Sequence, residues 1–286
     1  DGLTLALLFL ALKALVKPLS WAGIYWLNPL LIKETYLSGH MDVLLFPFLA
    51  GLVLLFIKRR YLLSSCALGL GVGVKIWPAI LFPVLLSPLR HRLGCITASF
   101  ALFSLIGLAM LLPMLWSGLE SDSGLFAYAA TWEMNDALFM LVLWAGQALL
   151  WSVNAPLDLA PFLARAAVAV LLIAYVLHMA RISGKDESLV PAALLLITAA
   201  LFFLSPTQFP WYGLWILPFL TLSPRKPLLL LTPLLSLFYL RPVLQDLDLA
   251  YVHDFGVIWV EFLPVLVLLL LERLDYTGRL IGPMKE

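Results

Sequence analysis

Long apolar runs without charged residues, separated by short polar turns, extend along the whole chain. The runs are continuous and rich in leucine, so they predict helices, because the strands of an outer-membrane barrel would alternate apolar and polar residues. A crossing helix needs about 20 apolar residues, so the pattern predicts an all-α polytopic transmembrane bundle of about ten membrane segments. These segments form one transmembrane domain, residues 1–286. The predicted segments are Leu3–Leu12, Pro18–Ile32, Val43–Ile57, two short ones within Tyr61–Pro88, Leu93–Leu119, Ala137–Leu157, Ala166–Ala180, Ser188–Pro224 (divided by Pro206 and Pro210), Pro227–Leu240 and Gly256–Leu271.

Two of the predicted segments do not fit a simple crossing. Basic residues flank Tyr61–Pro88 at both ends, which leaves about 14 residues, or about 21 Å, for each leg of a hairpin. The hydrocarbon core is about 30 Å thick, so we expect the apex at Lys75 to stop near the outer boundary. Ala137–Trp151 is predicted to lie at the outer interface or to re-enter there, because a crossing would put Asp158 and Arg181 on the wrong sides.

The composition supports an integral, multi-pass membrane protein. Apolar residues make up 63% of the chain and charged residues 12%, with a mean hydropathy of +1.02. Soluble domains are about 45–50% apolar and about 25% charged, so a soluble fold, a disordered chain and a nucleic-acid binder are excluded. Fourteen of the 18 Lys and Arg residues fall in turns that can share one side. The positive-inside rule assigns that side to the cytoplasm.

Lys75 is the strongest single candidate for a functional residue. A lysine within a bilayer is costly and marks a functional site by default. No Asp or Glu lies between Arg60 and Arg90, so its partner has to come from another segment or from a ligand. We expect Lys75 to bind a phosphate held at the membrane boundary. The alternative is a side chain that extends to the lipid headgroups.

A polar group precedes the third predicted segment, at its outer end. It contains the side chains of Asn28, Glu34, His40 and Asp42, with Gly39 permitting a tight turn between them. Asp42 is the predicted catalytic carboxylate, since a general base has to accept the proton of an attacking hydroxyl. His40 is placed with it, because we expect the turn at Gly39 to aim both side chains at a common point. Asn28 and Glu34 are predicted to bind substrate. A polar loop with a capping Asp is the alternative.

Aromatic and amide side chains recur in two later outer turns. Trp132 and Asn135 lie in the first, and Gln208, Trp211 and Tyr212 in the second. We predict that these five residues bind a sugar, because rings stack on sugar faces and amides bond to hydroxyls. An interfacial aromatic belt would place Trp and Tyr in the same positions.

Further charged groups leave the cofactor question open. Arg165 and Arg241 are additional candidates to bind a phosphate, and Arg241–Asp254 holds His253 with several acids. A metal cluster is conceivable there, but a solvated face is favoured. No metal or cofactor is required by the predicted chemistry, although a divalent cation would be compatible with it.

The order of these short motifs resembles the GT-C glycosyltransferases that use polyprenyl-phosphate sugars. The similarity is closest to bacterial polyprenol-phosphate-mannose-dependent mannosyltransferases, and more distant to the first mannosyltransferase of the GPI-anchor pathway. It covers roughly residues 20–220. The motifs that carry it are Asn28-Pro29-Leu30, Ser38-Gly39-His40-Met41-Asp42, the stretch Gly69 to Pro78 around Lys75, Tyr128 with Trp132-Glu133-Met134-Asn135, and Ser205-Pro206 with Pro210-Trp211-Tyr212.

This resemblance implies a function and a location. Such enzymes transfer a hexose, here expected to be mannose, from a polyprenyl-phosphate donor to a lipid or glycan acceptor with inversion. The resemblance implies a bacterial plasma membrane with the active site facing outward, and therefore a role in the cell envelope. The family carries an essential carboxylate in the first outer loop, so we expect the chain to be the larger C-terminal part of a longer fold.

Two other classes of function stay open. A transporter or flippase would also show intramembrane charge and broken helices, but it should show repeats and more polar residues within its long spans. A non-catalytic membrane scaffold is the third class.

Overall fold

The computed structural model describes residues 1–116 and 132–281, and within these ranges it is helical without a β-strand. Tyr128, one of the residues behind the family resemblance, lies outside the described ranges. The α-helices are α1 (Gly2–Ala14), α2 (Ala22–Trp26), α3 (Pro29–Ile32), α4 (Phe46–Ile57), α5 (Tyr61–Val74), α6 (Phe82–Leu86), α7 (Leu93–Trp116), α8 (Ala137–Ser152), α9 (Ala160–Ser183), α10 (Val190–Leu204), α11 (Pro210–Gly213), α12 (Leu217–Leu222), α13 (Lys226–Leu234), α14 (Leu240–Asp246), α15 (Ala250–Val252) and α16 (Ile258–Ile281).

Short 3₁₀ and π turns extend or join these helices. These turns matter for function, because predicted site residues such as Glu34 and Asp42 lie in them. The 3₁₀ turns are Leu19–Trp21, Met41–Leu45, Trp77–Leu81, Ser87–Leu89, Leu157–Leu159, Glu187–Leu189, Leu214–Ile216 and Leu235–Tyr239, and the π turns are Lys33–Leu37 and His253–Val257.

Five described helical stretches are long and apolar enough to cross a membrane, and the bent pair Pro29–Leu37 and Met41–Ile57 makes a sixth if it is one span. The protein is therefore a multi-pass helical membrane protein. The expected count of about ten membrane segments is not confirmed, because the remaining apolar helices have only 10–17 residues. The five stretches are Leu93–Trp116, Leu157–Ser183, Glu187–Leu204, Lys226–Asp246 and Ala250–Arg273.

Prolines divide the apolar runs into these pieces. Proline is tolerated in the first turn of a helix, where its missing N–H has no intrahelical partner. Pro210 begins α11 in this way, so the long apolar run from Ser188 to Pro224 ends its first helix at Leu204 and restarts. The division of this run at Pro206 and Pro210 is confirmed.

Gly39 supplies the sharp bend in the polar group before α4. Its φ of +68° is in the left-handed region that favours glycine. The helical stretches on its two sides meet at 107°. The predicted tight turn is therefore confirmed. It directs the side chains before and after Gly39 toward different neighbouring residues.

The predicted hairpin around Lys75 is present as two short helical stretches. α5 ends at Val74, Lys75 is extended (φ −147°, ψ 139°), and a 3₁₀ turn begins at Trp77. α5 packs closely on α7 through Gly69 and Gly73, which lie four residues apart on one face. Small residues at this spacing let two membrane helices approach each other closely.

Three of the basic turns meet at one end of the bundle. Arg59 Nη1 lies 3.4 Å from Glu187 Oε2, and Arg90 donates a hydrogen bond to the carbonyl of Gly184. Lys75 lies at the other end of α5, one helix length away. The charge asymmetry of the sequence thus corresponds to a physical end of the bundle, and its assignment to the cytoplasm stays a prediction.

The core is one apolar cluster that joins α1, α4, α10 and α12. Many residues of these helices are fully buried, whereas α7 has only 11% of its apolar window buried. α8 is a separate helix of 16 residues that packs against α9 through Phe139, Ala164 and Val168. Whether α8 crosses the membrane or lies at its outer face stays a prediction.

Candidate functional site

The segment Ser205–Trp215 connects three polar clusters that contain most of the predicted site residues. Pro206 and Pro210 keep this segment from continuing α10, so its side chains and carbonyls are available to neighbours. Gln208 reaches one cluster, Trp211 the second, and Tyr212 with Trp215 the third.

Lys75 is paired with Asp42 from a different segment. The distance from Lys75 Nζ to Asp42 Oδ1 is 3.4 Å, and the Asp42 side chain is 5% exposed. The same Oδ1 accepts a hydrogen bond of 2.6 Å from Trp215 Nε1. A buried carboxylate that holds an ammonium and an indole N–H has a fixed orientation, because two donors define its position.

Aromatic rings surround the Lys75 ammonium. Lys75 Nζ lies 5.2 Å from the ring centre of Tyr212, within the range of a cation–π contact. The Tyr212 ring stacks on Trp215 at 4.5 Å, and Trp215 stacks on Trp77 at 5.0 Å. The rings limit the directions in which the ammonium can move, and they leave one side of it facing a cavity.

That cavity has a volume of about 750 Å³ and a mainly apolar wall. It lies among the hairpin apex, α7, α9 and the segment Ser205–Trp215, and two cationic side chains, Lys75 and Arg165, contribute to its wall. Trp132, Trp77, Tyr212 and Trp215 line it as well. We call this space the first cavity.

The first cavity has hydrogen-bond donors without an acceptor. Trp77 Nε1 and Arg165 Nε are buried and donate to none of the described groups. Arg165 Nη1 is held 3.1 Å from Glu133 Oε1, and Arg165 Nη2 lies 3.4 Å from the carbonyl of Trp132. Buried donors without partners cost free energy, so the cavity is suited to a ligand that accepts hydrogen bonds.

The second cluster is built around Glu34. Its side chain is fully buried, and its carboxylate contacts Lys33 at 2.9 Å, His40 Nε2 at 3.2 Å and the hydroxyl of Tyr239. The His40 ring stacks on Trp211 at 4.0 Å. These contacts occupy the Glu34 carboxylate within the fold.

The third cluster holds residues Trp132–Asn135, which we call the strap, against the segment Ser205–Trp215. Met134 N donates to Pro206 O at 3.0 Å, and Gln208 N donates to Met134 O at 2.9 Å, forming a single parallel bridge. Asn135 Nδ2 donates to Gln208 O and to Glu261 Oε2 at 3.2 and 3.1 Å. The strap is thereby fixed at the edge of the first cavity, where Trp132 is 47% exposed.

The structure separates some residues that the sequence groups. His40 contacts Glu34 and Trp211, whereas Asp42 contacts Lys75 and Trp215, so the turn at Gly39 directs them to different clusters. The expectation that this turn aims both side chains at one point is wrong. Because a 3₁₀ turn begins at Met41, between the two residues, the side chain of Asp42 lies on a different face from that of His40.

Asn28 has a local structural role. Its Oδ1 accepts hydrogen bonds of 3.1 Å from the backbone N–H groups of Leu30 and Leu31, which caps α3 before Pro29. Asn is among the preferred N-cap residues. The side chain of Gln208 also has hydrogen bonds within the fold, since its Nε2 donates to the carbonyls of Phe203 and Ser205. Sugar binding by these two side chains stays a prediction.

Three site residues were not predicted from the sequence. Trp215 and Trp77 shape the surroundings of Lys75, and Tyr239 binds Glu34. The spacing of Tyr212 and Trp215 by three residues could have indicated Trp215, because positions three apart share a helical face. Tyr239 gives no such signal, since it lies 205 residues from Glu34.

The Arg241–Asp254 stretch is largely exposed, with Asp246 and Asp248 on the surface, as the favoured interpretation of a solvated face predicts. Arg241 makes a two-pronged contact with Asp254, at 2.9 and 3.2 Å. His253 differs from its neighbours, because it is 1% exposed. Among the described residues, no group of three or more His, Cys, Asp or Glu side chains is arranged to hold a metal ion.

Comparison with protein-family models, with curated proteins and with solved structures found no match to this chain. Fold and site together define a helical membrane protein with a cationic, aromatic-walled cavity.

Proposed function

We propose that the protein is a membrane glycosyltransferase that moves a hexose from a polyprenyl-phosphate donor to a lipid or glycan acceptor at the outer membrane face. The observation that carries the proposal is the first cavity, in which cationic groups and unpaired donors stand in an apolar wall. An amphiphile with an anionic head and an apolar chain matches both properties. The order of motifs that resembles the GT-C family supports the same donor class.

The phosphate of the donor is assigned to Lys75, with Arg165 as a second cation. Cations and N–H donors stabilise a leaving phosphate because negative charge develops on it as the bond to the sugar breaks. Trp77 Nε1 and Arg165 Nε offer two such N–H groups. The Asp42 and Trp215 contacts hold Lys75 in place before the donor binds.

The reaction itself needs few groups. The acceptor oxygen forms a bond to the anomeric carbon of the hexose, and the bond from that carbon to the phosphate oxygen breaks. The electron pair leaves with the polyprenyl phosphate, and a carboxylate accepts the acceptor's proton. Asp42 and His40 each stay a predicted catalytic residue, but they lie in different clusters and do not act as a pair. The contacts of Asp42 also support a role in orienting Lys75.

The Asp42→Asn variant tests the proposal. Purified full-length protein in nanodiscs is given a synthetic polyprenyl-phosphate mannose, with transfer and donor binding measured separately. We expect transfer to fall by at least about 100-fold, the scale of a lost general base. Retained donor binding would indicate a base, and lost binding would indicate an orienting role.

The matched control is Asp158→Asn, which changes an exposed acid at the start of α9. It should transfer sugar at the wild-type rate. The proposal fails if wild-type protein transfers no hexose to any lipid or glycan acceptor. Unchanged transfer and binding in Asp42→Asn would remove Asp42 from the site.

A second candidate function is transport of a lipid-linked or small polar substrate. The observation that favours it is Glu261, which is fully buried within the span Ala250–Arg273 and bonded to Asn135. Intramembrane carboxylates often mark proton relays. Movement of polyprenyl-phosphate mannose across proteoliposomes, without transfer to an acceptor, would support this function and reject the first.

A further inference from the structure

A second cavity, of about 240 Å³, lies on the other side of the strap that carries Trp132. It is enclosed by the strap, by α8 and by the turn that precedes α16. Its wall is mixed and carries a larger polar share than that of the first cavity, contributed by Glu133, Asn135, Asp136, Arg241 and Asp254.

The wall offers several hydrogen-bond acceptors. Asn135 is 6% exposed, and its Oδ1 accepts no hydrogen bond from the described residues, while its Nδ2 is already used. Asp136 occupies the N-cap position of α8, but its side chain makes no capping hydrogen bond. A ligand that donates hydrogen bonds would satisfy these oxygens.

Carboxylates outnumber basic groups in this wall, since Glu133, Asp136 and Asp254 line it together with one basic residue, Arg241. The guanidinium of Arg241 is engaged by both oxygens of Asp254, and Arg165, on the first cavity's side, is paired with Glu133. An anionic ligand would therefore meet an excess of carboxylates and be repelled. A neutral ligand with several hydroxyl groups avoids that penalty.

Two aromatic rings complete the wall. Trp144 and Phe255 both line the cavity, their planes differ by 19° and their centres lie 6.2 Å apart. They are 44% and 58% exposed. Partly exposed aromatic rings beside carboxylates and an amide match a sugar ring, which presents C–H groups on one face and hydroxyls at its edge.

The two cavities share one partition. Trp132 and Arg165 line the first cavity, whereas Glu133 lines the second and forms the ion pair with Arg165. The wall with unpaired hydrogen-bond donors and the wall with hydrogen-bond acceptors therefore meet at the strap. In an inverting transfer the phosphate and the attacking hydroxyl approach the same sugar carbon from opposite sides, so the donor sugar has to extend past the strap toward the second cavity.

We propose that the second cavity binds the sugar ring of the acceptor. This inference rests on the proposed function and adds a location and a chemical class for the other substrate, a neutral polyhydroxyl ring. Trp144 contacts the ring face, and Asp136 and Asn135 accept hydrogen bonds from its hydroxyls. The same chemistry is found in a free glycan and in a lipid-linked glycan.

The test uses full-length protein in nanodiscs and the variant Trp144→Ala. Trp151→Ala is the matched control, because Trp151 lies on the same helix and is 76% exposed. We expect Trp144→Ala to raise the KM for a mannoside acceptor about tenfold, the scale of a lost stacking contact, without changing the KM for the donor. Trp151→Ala should change neither constant.

Binding without the donor separates this inference from the proposed function. Methyl mannoside and octyl mannoside are titrated into wild-type protein and both tryptophan variants by calorimetry. Binding that Trp144→Ala weakens and Trp151→Ala leaves unchanged supports the site, and binding of octyl mannoside alone identifies a lipid-linked acceptor. If wild-type protein binds mannosides but transfers no hexose, the proposed function fails and the binding site survives.

Three outcomes would overturn the inference while leaving hexose transfer intact. The first is an unchanged acceptor KM in Trp144→Ala. The second is an effect on the donor KM instead, which would assign the cavity to the donor. The third is an equal effect of both tryptophan variants, which would indicate an aromatic belt in contact with lipid.

Discussion

At the scale of single residues, the position of Lys75 is determined by groups far from it in sequence. An ammonium near hydrocarbon needs a partner, and the hairpin between Arg60 and Arg90 contains no acid. Asp42 supplies the charge and Trp215 orients it, across 173 residues of sequence. A phosphate that reaches Lys75 would share it with Asp42.

Replacement of Lys75 tests this assignment. We expect Lys75→Met to abolish binding of polyprenyl phosphate, and Lys75→Arg to restore it only in part, because a planar guanidinium is not a point charge. Lys75→Met also leaves Asp42 buried without its cation, which is expected to cost about 3–5 kcal/mol of stability. The measurement is donor binding together with thermal unfolding in detergent.

A double variant separates binding from folding. Lys75→Met with Asp42→Asn removes both charges, so it should recover thermal stability relative to Lys75→Met while binding stays lost. Lys58→Met, in a basic turn at the other end of α5, is the control and should bind donor normally. Wild-type binding by Lys75→Met would show that the phosphate site lies elsewhere.

Asp136 predicts a dependence of activity on pH. Burial raises the pKa of its carboxyl to about 7, with Glu133 and Asp254 adding to the increase and Arg165 opposing it. Arg241, the other charged group of the wall, is bonded to Asp254. If the ionised form accepts a hydrogen bond from the acceptor, kcat/KM for the acceptor should rise with pH up to about 7 and then level off.

The same shift has a consequence for stability. The folded-state pKa lies above the unfolded value, so the contribution of the protonated carboxyl to stability is fully present below pH 4 or so and is lost as pH rises through about 7. Asp136→Asn should therefore raise the melting temperature at pH 8 more than at pH 5. A pH profile identical in Asp136→Asn and wild type would contradict both expectations.

At the scale of elements, the contact between α5 and α7 sets the position of the hairpin apex. A Cβ on Gly73 would lie 2.5 Å from Met110 Cβ, and one on Gly69 would lie 3.1 Å from Ile106 Cβ. Gly73 also lines the first cavity two residues before Lys75. The close approach of the two helices and the shape of the cavity therefore depend on the same glycines.

Gly73→Ala should separate α5 from α7 and displace the apex. We expect a loss of about 1–3 kcal/mol of stability, as for overpacking of a closely packed contact, together with weaker donor binding. Gly94→Ala is the matched control, since a Cβ on Gly94 meets nothing within 4 Å. Donor affinity and melting temperature that are equal in the two variants would show that the glycine contact does not position Lys75.

At the scale of the whole molecule, the meeting of basic turns at one end predicts the topology. Reporter fusions should place one set of turns in the cytoplasm and the other outside, because Lys and Arg are retained on the cytoplasmic side. An outside signal after Arg92 would contradict the hairpin between α5 and α6. Fusions after Arg60, Arg92, Lys185 and Lys226 should report the cytoplasm, and those at Gln208 and Asp248 the outside.

The sequence by itself determined the local features of this protein. Continuous apolar runs define helices, because backbone groups in a bilayer must be satisfied within the segment. Proline positions divided the run that ends α10, and a glycine produced the turn before α4. The lack of an acid around Lys75 required a partner from another segment or a ligand.

Only the tertiary structure decided which groups meet. Asp42 binds Lys75 and Trp215 while His40, two residues away, binds Glu34, because a bend of 107° directs them to different clusters. The amide of Asn28 is a type of group that binds sugars, yet it caps α3, the helix that follows it. The two cavities arise where non-adjacent helices diverge around the strap, and helix spacing and crossing are properties of packing that no single stretch of sequence contains.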